Sequence, residues 1–302
     1  MSRVLVQPVL TVIAGPTGSG KTELAIELAE RLGAEIVSAD SQAVYRHFDL
    51  GTAKPDPAQL ARVPHHLVSL VEPTEPFSAA RWVALADAAI TDIVARGRRP
   101  LVVGGTGLYI RALLHGLTET PPDPEVRRAL EEDARRLGPE AMHRRLAAVD
   151  PEAASRLAVA DVLRVVRALE IHATTGAPAS ELRARHAFRA ARYPARIHFL
   201  DPPHEELELR LAARTRRMFE RGLVRETAQL VDRGFRETAP MRSVGYRQAL
   251  AVVDRALTED QAEREALLET RRYAKRQRTW FRREPGTRFV PPPYAAVWEE
   301  AG

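Results

Sequence analysis

Between residues 9 and 22 the chain reads VLTVIAGPTGSGKT: an apolar run breaks at a glycine-rich turn, and Lys21 and Thr22 then open an amphipathic stretch. Gly15, Gly20, Lys21 and Thr22 satisfy G-x-x-x-x-G-K-[ST], and the flanks supply the strand and the helix that this motif requires. The segment Gly15, Pro16, Thr17, Gly18, Ser19, Gly20, Lys21 and Thr22 is therefore expected to cradle a phosphate or diphosphate. Glycines let successive backbone N–H groups turn inward around an anion, and the following helix adds the positive end of its dipole. Lys21 offers a point charge to the terminal phosphate, and the Thr22 hydroxyl suits Mg²⁺. A phosphorylated ligand follows from this loop. The reaction does not, because the same loop serves many chemistries.

A strand that feeds such a loop belongs in an open sheet with crossover helices. Short apolar runs at 9–15, 34–40, 65–71, 100–105 and 195–201 read as strands, the first four separated by segments long enough for a helix or a loop. Helices are expected at 21–32, 78–97 and 107–115, with Gly33 and Gly97 placed as C-terminal caps. Residues 118–190 then change character to charged helical segments with no strand among them, and further helices are expected at 204–221, 222–233, 244–256 and 259–283. The expected class is α/β: a P-loop-containing parallel sheet flanked by helices, with an all-helical insertion and a helical C-terminal region. Residues 1–117 form the first part of the core and 118–190 the insertion. Residues 191–290 return to the core with a fifth strand and basic helices, and 291–302 form a tail.

Composition narrows the function further. A chain of 302 residues without cysteine has no disulfide and no thiolate metal site. No apolar run approaches the length of a membrane span, and the N-terminus runs straight into the first strand, so no cleaved signal is expected and the cytoplasm is the expected compartment. The expected state is a monomer. Net charge is +5, and of 45 basic residues only Lys21, Lys54 and Lys275 are lysines. Arginine concentrates at 210–226 and 270–283, where Tyr273, Trp280 and Phe281 interleave with it. Such runs read equally as solvated helix faces or as a nucleic-acid surface.

Ligands of an open α/β sheet bind beyond the carboxyl ends of its strands. The phosphate loop, SADSQAVY (38–45) and GGTGLYIRAL (104–113) converge there. Asp40 reads either as a helix cap or outer Mg²⁺ partner, or as a general base that orients a nucleophile. Gly104, Gly105 and Gly107 permit close approach of the backbone to a ligand and leave Thr106 as the one hydroxyl of that turn. The fourth strand ends in Gly-Gly-Thr without the aspartate that P-loop hydrolases place there, a departure from nucleotide hydrolysis.

The motif series GPTGSGKT (15–22), FDLGTAKP (48–55), VVGGTGLYIRAL (102–113), RVVRALEIHATTG (164–176), MFERGLVRE (218–226), SVGYRQAL (243–250) and TRRYAKRQRTWFRR (270–283) resembles the tRNA dimethylallyltransferases. These are P-loop prenyltransferases that modify the adenosine immediately 3′ of the anticodon. The resemblance implies that the loop holds dimethylallyl diphosphate, with Mg²⁺ assisting. It implies that Asp40 accepts a proton from the adenine amine, that Lys21 and Arg214 serve the departing pyrophosphate, and that Thr106 lies near the reacting amine and the diphosphate. It further implies tRNA contacts, centred on the anticodon stem-loop, at Asp40, Ser41, Gln42, Ala43, Thr106, Arg164, Arg167, Arg242, Arg247, Lys275, Arg276, Gln277, Arg278 and Trp280. The helical insertion is expected to close on that stem-loop. The chain departs from the family at Gln42-Ala43 and at Ala160-Asp161, and it ends without the zinc finger of eukaryotic relatives, as bacterial forms do. The alternatives are a P-loop kinase that uses ATP on a small metabolite, a prenyltransferase of free adenine nucleotides, and a non-catalytic RNA-binding protein.

Overall fold

The computed structural model describes residues 8–117, 120, 123–186 and 191–301. They divide into two compact units: one takes in the chain up to Leu114 and again from Arg192, and the other runs His115–Ala191. The expectations for the extreme N-terminus and for part of the segment at 118–124 lie outside the described residues.

In the first unit, β1 (Leu10–Ala14) occupies the middle of a six-stranded sheet. Its neighbours are β4 (Arg99–Gly104) and β5 (Ala195–Leu200), followed outward by β2 (Ala34–Ser38) and β3 (His65–His66) on one side and β6 (Thr287–Val290) on the other. Every pairing is parallel. Crossover helices α1 (Lys21–Leu32), α2 (Pro57–Arg62), α3 (Ala79–Ala95) and α4 (Gly107–His115) connect the early strands. The sheet is apolar on both faces, as a doubly covered parallel sheet must be. Trp82, Ile90, Ile93, Phe199 and Phe281 pack on one side, and Ile26, Leu28, Ile36 and Val297 on the other. The Trp82 indole also donates to Ser38 O at 3.0 Å, which ties α3 to the end of β2.

Three sequence expectations need correction. The strand read at 65–71 shrinks to His65–His66, because Leu67 and Ser69 adopt φ of 65° and 49°, outside any strand conformation. The sixth strand was unread, since four residues after a helix give too little period to detect. The tail at 291–302 holds a helix, α14 (Ala295–Ala301), whose Val297 is fully buried against the sheet.

The same unit continues with α10 (His204–Glu220), α11 (Leu223–Asp232), a 3₁₀ turn at Pro240–Arg242, α12 (Tyr246–Val253) and α13 (Glu259–Phe281). The FDLGTAKP segment is pinned to them. The Leu50 amide donates to Glu226, and the Gly51 amide to the Tyr246 hydroxyl at 3.2 Å. Tyr246 in turn donates to Glu226, whose carboxyl burial raises above the ordinary carboxylate range.

The second unit is helical throughout its described residues: α5 (Pro124–Leu137), α6 (Pro139–Val149), α7 (Pro151–Arg156), α8 (Val162–Thr175) and α9 (Ala179–His186). Leu130, Met142, Leu146, Val165 and Leu169 form its own core. Asp150, 1% exposed, caps α7 through the Ala153 amide at 2.9 Å and holds Ser180 through its amide and its hydroxyl. Asp161 caps α8, its side chain accepting from the Arg164 amide.

Candidate active site

The site is built where β1, β2 and β4 end. Gly18 and Gly20 take φ of 79° and 86°, conformations that side chains rarely adopt, and so turn the loop between β1 and α1. The amides of Gly18, Gly20, Lys21 and Thr22 have no acceptor among the described residues. They are the donors an anion needs. Lys21 Nζ donates to Pro16 O at 2.8 Å. Burial first and the Arg214 guanidinium second pull its pKa down to about 8, against the opposing pull of Asp40. Burial likewise lowers Arg214, carried by α10, while Asp40 opposes that shift. Lys21, Arg214 and Asp40 therefore share one electrostatic environment: two cations short of counter-charge and one carboxylate.

Asp40 follows β2. Its Oδ1 accepts the amides of Gln42 at 2.8 Å and Ala43 at 3.2 Å. One carboxylate oxygen thus caps the turn, while the other, Oδ2, has no hydrogen bond among the described residues. Gly104 lies so close to the β2 turn that a Cβ there would stand 2.2 Å from Ala39 O. That approach brings Thr106 to the turn: its amide donates to Ala39 O, and its Oγ1 accepts from the Ser41 amide at 3.1 Å. Burial first, and then the charge of Asp40, push the phenol of Tyr273 on α13 above the ordinary range.

Tyr273 was not singled out from the sequence as a site residue, and Gln277 was expected at the RNA surface. The structure instead buries Gln277 and uses both ends of its amide within the chain: Oε1 accepts the Thr17 amide at 2.9 Å, and Nε2 donates to Gly105 O at 3.0 Å. A signal for both was present. Tyr273, Gln277 and Trp280 stand at i, i+4 and i+7 of one helix, the face that also carries the buried Ala274 and Phe281. Trp280 faces inward as well. Its ring lies where a Cβ on Gly107 would fall, and Arg111 covers it at 4.4 Å. Arg278 bonds Asp201 at 2.7 Å and donates to Pro202 O. Ala43 is 5% exposed. Gln42 is half-buried, with no hydrogen-bond partner on its Oε1.

The remaining expected contacts lie outward. Lys275, Arg276, Arg242 and Arg247 are exposed, Arg276 resting over the Tyr273 ring and Arg247 standing 3.7 Å from Glu269. In the helical unit, Arg164 is 73% exposed and pairs with Asp161, while Arg167 divides its guanidinium between the buried Glu170 and Thr120 O.

Among the described residues no group of three or more His, Asp or Glu side chains could hold a metal by itself. A divalent ion at Thr22 would take most of its oxygens from a bound diphosphate and water, which is how Mg²⁺ is commonly held. Nor is any helix among the described residues long and apolar enough to cross a membrane.

Comparison with known proteins gives the family. A family profile described as IPP transferase matches residues 43–284, and one described as isopentenyl transferase matches residues 8–67. The tRNA dimethylallyltransferase of Myxococcus xanthus (strain DK1622) is 60% identical over 292 residues, 96% of this chain and 95% of that protein. That of Anaeromyxobacter dehalogenans (strain 2CP-C) is 55% identical over 94% of this chain and 95% of its own. The crystal structure of full-length tRNA isopentenylpyrophosphate transferase from Bacillus halodurans is 35% identical with a TM-score of 0.71, covering 97% of this chain and 94% of that one. A eukaryotic dimethylallyltransferase captured acting on tRNA superposes with a TM-score of 0.80 at 27% identity, over 98% of this chain and 77% of the other.

Proposed function

The chain belongs to the IPP transferase family, and from that premise we propose that it transfers a dimethylallyl group from dimethylallyl diphosphate to tRNA. The acceptor is the exocyclic amine of the adenosine immediately 3′ of the anticodon, and pyrophosphate is released. The observation that carries this reading is the shared setting of Lys21, Arg214 and Asp40 at the end of the sheet, which supplies cations for a leaving diphosphate beside an acceptor for a proton.

The adenine amine is a weak nucleophile and reacts only when aligned. As its nitrogen bonds to the allylic carbon, the carbon–oxygen bond to diphosphate breaks and the electron pair leaves with pyrophosphate. The amine proton passes to Asp40 Oδ2. Lys21, Arg214 and the open loop amides oppose the charge that develops on the leaving oxygens, where fixed donors act most strongly. Mg²⁺, held by Thr22 and the diphosphate, would neutralise part of that charge. The target base must leave its stack to reach the sheet edge. Arg242, Arg247, Lys275 and Arg276 are the exposed cations of the first unit proposed to bind the stem-loop backbone, and Arg164 is separately proposed as a tRNA contact of the helical unit.

A small-molecule kinase is the weaker reading. β4 ends in Gly-Gly-Thr without a carboxylate, and the cluster of exposed cations on and around α13 has no use in it. Incubation with dimethylallyl diphosphate, Mg²⁺ and unmodified tRNA, followed by digestion, should yield isopentenyladenosine. Phosphate transfer from ATP without that product would reverse the choice.

A further inference from the structure

Two loops carry the two halves of the chemistry. The phosphate loop presents Lys21 and its amides to the leaving group, and the turn after β4 presents Thr106, tied through Ser41 to the turn of Asp40. β1 and β4 are adjacent strands, so the loops leave the sheet side by side. One side chain bridges them. Gln277 is 6% exposed, its Oε1 accepts the Thr17 amide at 2.9 Å, and its Nε2 donates to Gly105 O at 3.0 Å. Gly105 is shaped for this bridge, because a Cβ there would fall 2.0 Å from Gln277 Nε2.

We propose, resting on the transferase reading, that Gln277 is a positioning residue for the reaction. It sets the separation between the diphosphate cradle and the Thr106–Asp40 edge, and it makes no contact with RNA. A primary amide is suited to this because it offers an acceptor to an N–H and a donor to a C=O at once. Leucine offers neither. Glutamate keeps the acceptor for Thr17, but when ionised it sets a second oxygen against the Gly105 carbonyl. Misplacement of reacting groups by about 1 Å can slow a reaction ~10²-fold even when binding is intact.

The test compares Gln277→Leu, Gln277→Glu and Gly105→Ala with the unsubstituted chain. Single-turnover rates are measured with saturating dimethylallyl diphosphate and tRNA, alongside Kd for an anticodon stem-loop RNA and the melting midpoint. The expected result is a rate loss of about 10- to 100-fold in Gln277→Leu and Gly105→Ala, with stem-loop affinity within about twofold. The rate of Gln277→Glu relative to the unsubstituted chain should climb as pH falls through its carboxyl titration, because the protonated acid donates to Gly105 O again. Packing alone would not produce that recovery. Should Gln277→Leu fail to fold, the pH response of Gln277→Glu and the rate of Gly105→Ala decide. A full rate in Gln277→Leu, or a loss confined to stem-loop affinity, overturns the proposal. Absence of product from the unsubstituted chain would instead overturn the transferase reading on which it rests.

Discussion

Ser41 and Thr106 are joined across the end of the sheet: the Ser41 amide donates to Thr106 Oγ1 at 3.1 Å. Residues 65 positions apart are thereby held in one edge, with Asp40 beside Ser41. Neither turn alone presents Asp40 and Thr106 together, and the pairing supplies the acceptor side of the proposed reaction.

Replacing Asp40 by Asn keeps the turn, since an amide oxygen still accepts the Gln42 and Ala43 amides, but removes the charge. The transfer rate should fall by about 10²- to 10⁴-fold, the usual contribution of a general base. Stem-loop affinity should change little, and the melting midpoint should drop slightly, because the carboxylate offsets the burial of Lys21 and Arg214. Asp40→Ala should lose the rate and also melt earlier. An Asp40→Asn rate near that of the unsubstituted chain would remove Asp40 as the proton acceptor.

Lys21 should couple diphosphate binding and folding to pH in opposite directions. Its folded pKa of about 8 lies below the ordinary 10.5, so the unfolded chain binds more protons between these values. The strain of burying the charged form is fully present below pH 8 and is relieved as pH rises toward 10.5. Lys21→Met should therefore melt higher than the unsubstituted apo chain at pH 7, by a margin that vanishes above pH 10. The same variant should bind pyrophosphate at least ~10-fold more weakly. Calorimetric melts and titrations with pyrophosphate read both effects.

Two neighbours on α13 should respond differently. Lys275 is exposed, whereas Arg278 is bonded to Asp201 and Pro202 O. Lys275→Ala should weaken tRNA binding modestly and reduce the salt slope of log K by about 0.7 to 1, the value of one phosphate contact. Arg278→Ala should lower the melting midpoint and leave that slope unchanged. Binding isotherms from 50 to 200 mM salt, run beside thermal melts, separate the two.

Glu35, 4% exposed on β2, is held down to about 2 by hydrogen bonds from Arg96 above all, with His66 adding to them. Its contribution to stability is complete above the ordinary 4.5 and is lost as pH falls from there toward 2. Arg96→Ala should cost about 1–3 kcal/mol near pH 6. The gap should narrow below pH 4. Denaturant titrations at both pH values check this.

The residues 15–22 announced their loop, and the alternation of apolar runs with helical patterns announced a parallel sheet, because both depend on neighbours within a few positions. Glycine conformations, a helix N-terminus and a lysine five residues from Pro16 are local facts, and they can be read in order along the chain. The roles of Gln277, Trp280 and Arg278 could not be read that way. A basic, aromatic helix looks alike whether its polar groups meet RNA or the protein itself, and only the packing of α13 shows that Gln277, Trp280 and Arg278 make contacts within the chain. The same holds for β6 and α14: each is too short to declare itself, and each exists because the edge of the sheet and its apolar face were left to be covered. What the sequence determined alone was the chemistry of the backbone loop. The distances between that loop and its partners, which decide whether the groups can act together, came from contacts between residues up to 275 positions apart.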